Sequence, residues 1–315
     1  MARERIMTAP GLARSARQYL RLRRALGYKL EHAGWYLPDF VDFLAAQGSP
    51  VITTALAVRW AQQPPTALPV SWAARLTVVR GFARYHRALD ARTEVPPLDL
   101  IPRGPRRPRP YIYTAAEIAS LMQAARRLTY PLQAETYETV IGLIAATGMR
   151  LGEVIALNEA DIDWVRSLLT VRLTKFKKSR LVPLTRSTLA AIRSYAGRRD
   201  DTFPRRPTAS FFVTSVGTRL VKQQFGHVFR RLVRTSGVGR VGERRPRIHD
   251  LRHSFAVASL RDAYRSGSDA EHRMVSLSTY LGHVNPSATY WYLTATPELL
   301  ALACGRLERA WEARP

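Results

Sequence analysis

The chain has 315 residues, with 49 Lys plus Arg against 24 Asp plus Glu, a net charge of +25 and a pI near 11.2. A hydrophobic content of 46% excludes global disorder, and a lone cysteine, Cys304, excludes an intrachain disulfide framework or a thiolate zinc site. The length suits roughly two domains of about 150 residues, and the arginine-led positive charge favours a polyanionic partner, nucleic acid first, without separating DNA from RNA. Arg3, Glu4 and Arg5 are followed by no long apolar run, and Val140 to Ala146 is too short to cross a bilayer, so a cytoplasmic protein is expected. Cys304 is expected to be a small buried residue on a late helix.

Residues 11 to 90 carry apolar positions three and four apart in four runs: Ser15 to Leu26, His32 to Ala46, Ala55 to Gln63 and Ser71 to Ala88. Gly27, Gly48-Ser49-Pro50 and Gln63-Pro64-Pro65 break them. The expectation is a small helical bundle with Arg21, Arg23, Arg24, Arg80 and Arg84 on its outer faces, over residues 1–95. Residues 96–110 follow as an extended basic linker, because the prolines of Ile101 to Pro110 admit neither a helix interior nor a central strand. Its Arg103, Arg106, Arg107 and Arg109 are candidate phosphate contacts.

The second domain, residues 111–315, opens on Thr114-Ala115-Ala116-Glu117, a capping box ahead of a helix to about Arg126. A further helix runs from about Leu132 to Ala146 and stops at Thr147-Gly148, just before Arg150; a short helix starts at Leu151. Leu168 to Leu173 and Arg180 to Leu184 are β-rich and flank a lysine-rich turn, Lys175 to Ser179; Phe211 to Val213 is a third short strand. From Val221 onward the pattern is helical, closing with a tail helix from about Pro297 to Ala313 that is apolar on one side. The fold class is mainly α with a small β-sheet, α+β.

Chemistry concentrates late in the chain. His249 and Arg252 in Arg247-Ile248-His249-Asp250-Leu251-Arg252-His253 stand three apart, on one face near a helix N-terminus, where anions are attracted. His253 also makes a His-x-x-x-His pair with His249, but the intervening Asp250 is not the glutamate a zinc hydrolase uses as base. No metal is expected there, and His253 is taken as a packed structural residue. Leu281-Gly282-His283 is followed by Tyr290 and Tyr292, which point to opposite sides of a helix, so one phenol at most enters a common site. Spacing alone does not choose between them. Metal-free phosphodiester cleavage needs a nucleophile, charge neutralisation on the non-bridging oxygens and a proton for the leaving oxygen. A phenol, two guanidiniums, imidazoles and a lysine supply these.

In this order Arg150, Lys175, His249, Arg252, His283 and Tyr292 resemble the active site of the tyrosine recombinases, the integrase family, over about residues 111 to 311. The resemblance implies an N-terminal helical core-binding (SAM-like) bundle that clamps DNA and a C-terminal catalytic domain. It selects Tyr292, nine residues after His283, as nucleophile and Lys175 as the hairpin lysine, although Phe176 stands where the family often has glycine. It implies Arg150 and Arg252 as the phosphate fork, Glu153 and Asp250 as supports behind them, and Lys177 and Lys178 as DNA contacts. No cofactor is implied. The implied partner is double-stranded DNA carrying recombination sites, bound by a homotetramer near the nucleoid, and the residues around Tyr292 resemble mobile-element integrases. The alternatives are a type IB topoisomerase, which shares the arginine, histidine and tyrosine logic, and a DNA-binding accessory that has lost cleavage.

Overall fold

A computed structural model describes residues 9–102, 110–172, 179–239, 245–266, 269–282, 287–294 and 296–312. The chain divides into two compact units, Met1–Pro108 and Arg109–Pro315. No helix among the described residues is long and apolar enough to cross a membrane.

The first unit is built from α1 (Ala9–Ala25), α2 (Glu31–Ala46), α3 (Thr54–Ala61) and α4 (Pro69–His86). All four expected helices are present, with ends displaced by a few residues. The start of α4 at Pro69 follows from the fixed φ of proline, which suits a first helical turn. At α3 the Thr53 hydroxyl accepts the Leu56 N–H at 3.2 Å. Leu12, Leu37, Phe40, Leu44, Trp60, Val79 and Phe82 close the core. Arg21, Arg24 and Arg84 are exposed as expected, but Arg80 is not: it is only 5% accessible. Its Nε donates to the Pro96 carbonyl at 2.8 Å and its Nη2 to the Pro97 carbonyl at 2.7 Å. The Pro96-Pro97 segment has no N–H to enter regular structure, and the guanidinium fork of Arg80 satisfies both of its carbonyls, that of Pro96 in a buried bond.

The second unit contains α5 (Ala115–Arg126), α6 (Pro131–Thr147), α7 (Leu151–Ala156), β1 (Ile162–Asp163), β2 (Leu168–Val171), β3 (Arg180–Pro183), α8 (Arg186–Thr202), α9 (Lys222–Thr235), α10 (Ile248–Arg265), α11 (Ala270–Leu281), α12 (Ser287–Tyr290) and α13 (Pro297–Glu312). The capping box at Thr114 forms: its hydroxyl accepts the Glu117 N–H at 3.2 Å while the Glu117 carboxylate accepts the Thr114 N–H at 2.8 Å. The strands make one antiparallel sheet in the order β1-β2-β3, with Leu168 opposite Pro183 and Val171 opposite Arg180.

Two further expectations are corrected here, and one element was missed. Phe211 to Val213 is not a strand; it is flanked by isolated bridges, Asn158 to Ser210 and Val213 to Arg219. Its backbone finds other partners, the Phe211 N–H on the Leu157 carbonyl at 2.9 Å and the Val213 N–H on the Tyr195 hydroxyl at 3.0 Å, so three successive side chains are buried instead of alternating. The two-residue β1 was too short to be visible as a pattern. Cys304 is exposed on α13, because the apolar side of that helix which packs against the rest of the unit runs through Leu299 instead.

Replacing Arg80 with Met should destabilise the chain by about 1 to 3 kcal/mol in urea unfolding, since the buried Pro96 carbonyl and the part-buried Pro97 carbonyl lose their donors. A loss below about 0.5 kcal/mol would mean that solvent satisfies them.

Candidate active site

Two helix ends define the site. Helix α6 terminates at Gly148, whose φ of +61° is a left-handed conformation that glycine adopts without penalty. A Cβ there would lie 2.5 Å from Phe255 Cδ1, so the turn is also sterically closed to other residues. Helix α11 ends in the same way at Gly282, with φ +66°. Unpaired carbonyls at such ends carry the negative pole of the helix dipole and attract cations.

Both proposed fork arginines use them. Arg252, on the second turn of α10, is 1% accessible; its Nη1 donates to the Gly148 carbonyl at 2.7 Å and its Nη2 to the Leu281 carbonyl at 2.5 Å. No carboxylate lies within 4.0 Å of it among the described residues. Burial, then the neighbouring Arg150, lower its pKa to about 10, against the opposing pull of Tyr292 and Glu153. Arg150, at the N-terminal boundary of α7, donates through Nη2 to the Gly282 carbonyl at 3.2 Å and through Nη1 to Glu153 at 2.7 Å.

Glu153 is shared. Its second partner is Arg180, the first residue of β3, whose Nη1 and Nη2 reach the carboxylate at 3.1 and 2.7 Å. Burial alone would raise the Glu153 carboxyl, but the hydrogen bonds from Arg180 and from the Arg150 N–H outweigh it and hold the pKa at about 2. Two guanidiniums on one carboxylate, with that of Arg252 nearby, leave the site positive, which suits a phosphate.

Asp250 is fully buried and fixes the start of α10. Its Oδ2 accepts the Arg247 N–H at 2.8 Å, and its Oδ1 accepts from Arg247 Nη2 at 2.9 Å. His249, in the first turn, keeps an exposed edge. The packing around its ring, then Arg252, lower its pKa to about 4; Asp250 opposes them, and Arg150 and Arg247 add to the lowering. One turn on, the His253 ring centroid lies 4.7 Å from that of His249.

Tyr292 sits on a single 3₁₀ turn, Trp291–Thr294, that follows α12. It is 2% accessible, within a cluster formed by Val257, Leu260, Leu277, Leu281 and Leu299, whereas Tyr290 is 53% accessible. The Tyr292 hydroxyl is 3.0 Å from His253 Nδ1. Arg150, Glu153, His249, Arg252 and Tyr292 therefore converge, with Asp250 one layer behind. Lys175, Lys177, Lys178, His283, Arg103, Arg106, Arg107 and Arg109 lie outside the described residues.

Two members of the cluster were not assigned to the site from the sequence. His253 is half-buried against the phenol, not merely packed in the core, because the i, i+4 relation puts it on the same face as His249. Arg180 carried a usable signal: period-two alternation sets it on the same side as buried Val182, and a charge on the core side of a strand requires a partner.

The Glu153 pKa gives a pH dependence with a definite sign. Lowered from 4.5 to about 2, the group contributes stability that is complete above pH 4.5 and lost as pH falls through 2. Glu153→Gln should cost on the order of 2 to 3 kcal/mol at neutral pH, and the gap to the parent protein should shrink toward zero by about pH 2 in denaturant unfolding. A gap that stays constant over that range would rule out the charged clamp.

Residues 112–298 match the phage integrase family. The chain is 43% identical over 95% of its length to y4rB of Sinorhizobium fredii (strain NBRC 101917 / NGR234), which carries the name of an integrase/recombinase, and the match covers 98% of that protein. It is 32% identical to tyrosine recombinase XerC of Roseiflexus sp. (strain RS-1), over 54% of this chain and 52% of XerC. Among solved structures, the Tn1549 transposon integrase in complex with transposon right end DNA superposes with a TM-score of 0.68 at 16% identity, covering 94% of this chain and 98% of that one. A lambda integrase dimer bound to a COC′ core site gives 0.61 at 18% identity, over 88% and 96%. A family match across more than half of the chain, joined by a relative alike along nearly its whole length, makes this protein a tyrosine recombinase of the phage integrase family.

Proposed function

We propose that the protein is a site-specific DNA recombinase that breaks and rejoins strands through a 3′-phosphotyrosyl intermediate. The phenol of Tyr292 attacks the scissile phosphorus, the phosphorus–O5′ bond breaks, and the freed 5′ oxygen takes a proton from Lys175. A 5′ hydroxyl from a partner strand then attacks the phosphotyrosine, and the phenol leaves. The ester keeps the bond energy of the original linkage, so strand joining needs no ATP. Arg150 and Arg252 neutralise the developing pentacoordinate phosphorane in the role a metal ion would otherwise fill. Such a preorganised donor is typically worth about 3 to 4 kcal/mol in the transition state. His249 and His283 orient the phosphate and assist proton movement, with Glu153 and Asp250 holding the arginine and histidine motifs.

The observation that carries this reading is Arg252, a buried guanidinium satisfied only by helix-end carbonyls and lacking a carboxylate partner among the described residues. An uncompensated buried cation is costly, and an incoming phosphate supplies the missing charge. Support for DNA as the substrate comes from the net charge of +25 and from relatives solved with a transposon end and with a core site. In this reading residues 1–95 clamp the duplex, residues 96–110 lay Arg103, Arg106, Arg107 and Arg109 along its phosphates, and Lys177 and Lys178 add hairpin contacts. Four copies assemble on two DNA sites.

A pool of nicked duplexes of randomised sequence tests the assignment, because a short 5′ fragment diffuses away after cleavage and traps the adduct. The wild-type chain should give a protein–DNA band that survives detergent and disappears with protease. Tyr292→Phe should abolish that band and Tyr290→Phe should keep it, while Arg252→Gln should slow its appearance about 100- to 1,000-fold. Adduct formation by Tyr292→Phe but not by Tyr290→Phe would overturn the nucleophile. Relaxation of a supercoiled plasmid carrying no captured sequence would favour the topoisomerase alternative.

A further inference from the structure

We propose that His253 is a catalytic residue of this chain, the group that takes the proton from the Tyr292 phenol on cleavage and returns it on rejoining. The inference rests on the recombinase reading above and adds to it a base that neither the sequence pattern nor the comparisons assign.

Tyr292 is almost fully buried, so bulk water is a poor acceptor for its proton when the oxygen attacks. A phenol is a weak nucleophile until that proton moves, and the acceptor has to stand within hydrogen-bond reach of the hydroxyl. His253 Nδ1 does so at 3.0 Å. The two rings meet at a centroid separation of 5.5 Å and an interplanar angle of 57°, with Trp291 packed at 5.5 Å from the same imidazole. His253 belongs to the long helix α10 and Tyr292 to the single turn Trp291–Thr294, so the base stands on the rigid element and the nucleophile on the short one.

The other imidazole of α10 is less suited to the task. The packing around His249, and then the positive field of Arg252 with Arg150 and Arg247, outweigh the pull of Asp250 and weaken it as a proton acceptor, while leaving it able to donate to a phosphate oxygen. The same field assists the phenol, since Arg252 and Tyr292 attract one another as guanidinium and phenolate. The two histidines thus divide the work: His249 toward the phosphate, His253 toward the nucleophile.

The proton balance is explicit. As the Tyr292 oxygen–phosphorus bond forms, the phenolic proton passes to Nδ1 of His253, giving an imidazolium; the phosphorus–O5′ bond breaks and the 5′ oxygen is protonated by the separate acid. On rejoining, the incoming 5′ hydroxyl gives its proton back to that acid as its oxygen bonds to phosphorus, the imidazolium returns its proton to the departing phenol oxygen, and the enzyme is regenerated.

The test uses the full chain and the nicked duplex captured by the wild type. His253→Asn keeps a polar atom near the position of Nδ1 but cannot hold a proton at neutral pH, and His253→Gln serves if the first variant unfolds at a lower temperature than the parent. The expected result is unchanged DNA binding in a gel-shift titration with adduct formation slowed at least about 100-fold, in line with the loss of a general base. Exchanging Tyr292 for a fluorinated, more acidic tyrosine in that variant should recover most of the loss, because an acidified phenol needs less help to lose its proton. Adduct formation at the parental rate, or a defect that the acidified phenol leaves untouched, would overturn the proposal by reducing His253 to packing. Absence of any adduct from the wild-type chain would instead strike at the recombinase reading and remove the basis of this one.

Discussion

Everything around the site depends on how one buried positive charge is held. Arg252 is nearly sealed from solvent, and its guanidinium is gripped by main-chain carbonyls at the ends of two helices distant in sequence, α6 and α11. A cation so enclosed needs compensation, and helix dipoles supply only partial negative charge. Glu153 and Tyr292 add a longer-range pull, and burial still outweighs it. That deficit makes an oxyanion a natural occupant, and it fixes the geometry that every other group has to meet.

The neighbouring groups extend the same arrangement outward. Gly282 offers its carbonyl to Arg150, one peptide beyond the carbonyl that Leu281 offers to Arg252, so the two arginines share a single chain turn as their anchor. Glu153 ties Arg150 to the sheet through Arg180, and Asp250 secures the first turn of α10 through Arg247. Tyr292 enters from the far side, packed among the side chains of α10, α11 and α13. Backbone ends set the positions of the arginines, whereas apolar packing sets the position of the phenol.

Much of the fold was legible because its signals are local. The Thr114 capping box, the Gly148 stop and the His249–Arg252 spacing depend on neighbours within a few residues, and the pairing of Leu168 to Val171 with Arg180 to Pro183 on partners 9 to 15 residues away. Choosing Tyr292 over Tyr290 needed the family resemblance; the spacing of the two phenols does not carry it, though they differ sharply in burial. What escaped was long-range. Arg80 was assigned to the surface because nothing nearby announces the two proline carbonyls that receive it sixteen and seventeen residues later. Phe211 to Val213 has strand composition, yet its N–H groups are claimed by Leu157 and Tyr195. His253 looked like core because its partner lies 39 positions away.

The carbonyls that receive Arg252 and Arg150 belong to the peptide backbone, and this makes the interaction genetically lopsided. No exchange of side chains at positions 148, 281 or 282 deletes an acceptor oxygen; such changes act only by bending the turn, and the two left-handed glycines are where bending begins. The arginines, by contrast, are each one codon from loss. Lineages drifting away from activity should therefore forfeit the guanidiniums while the receiving turns persist, a fossil socket by which inactive descendants of this chain would still be recognised.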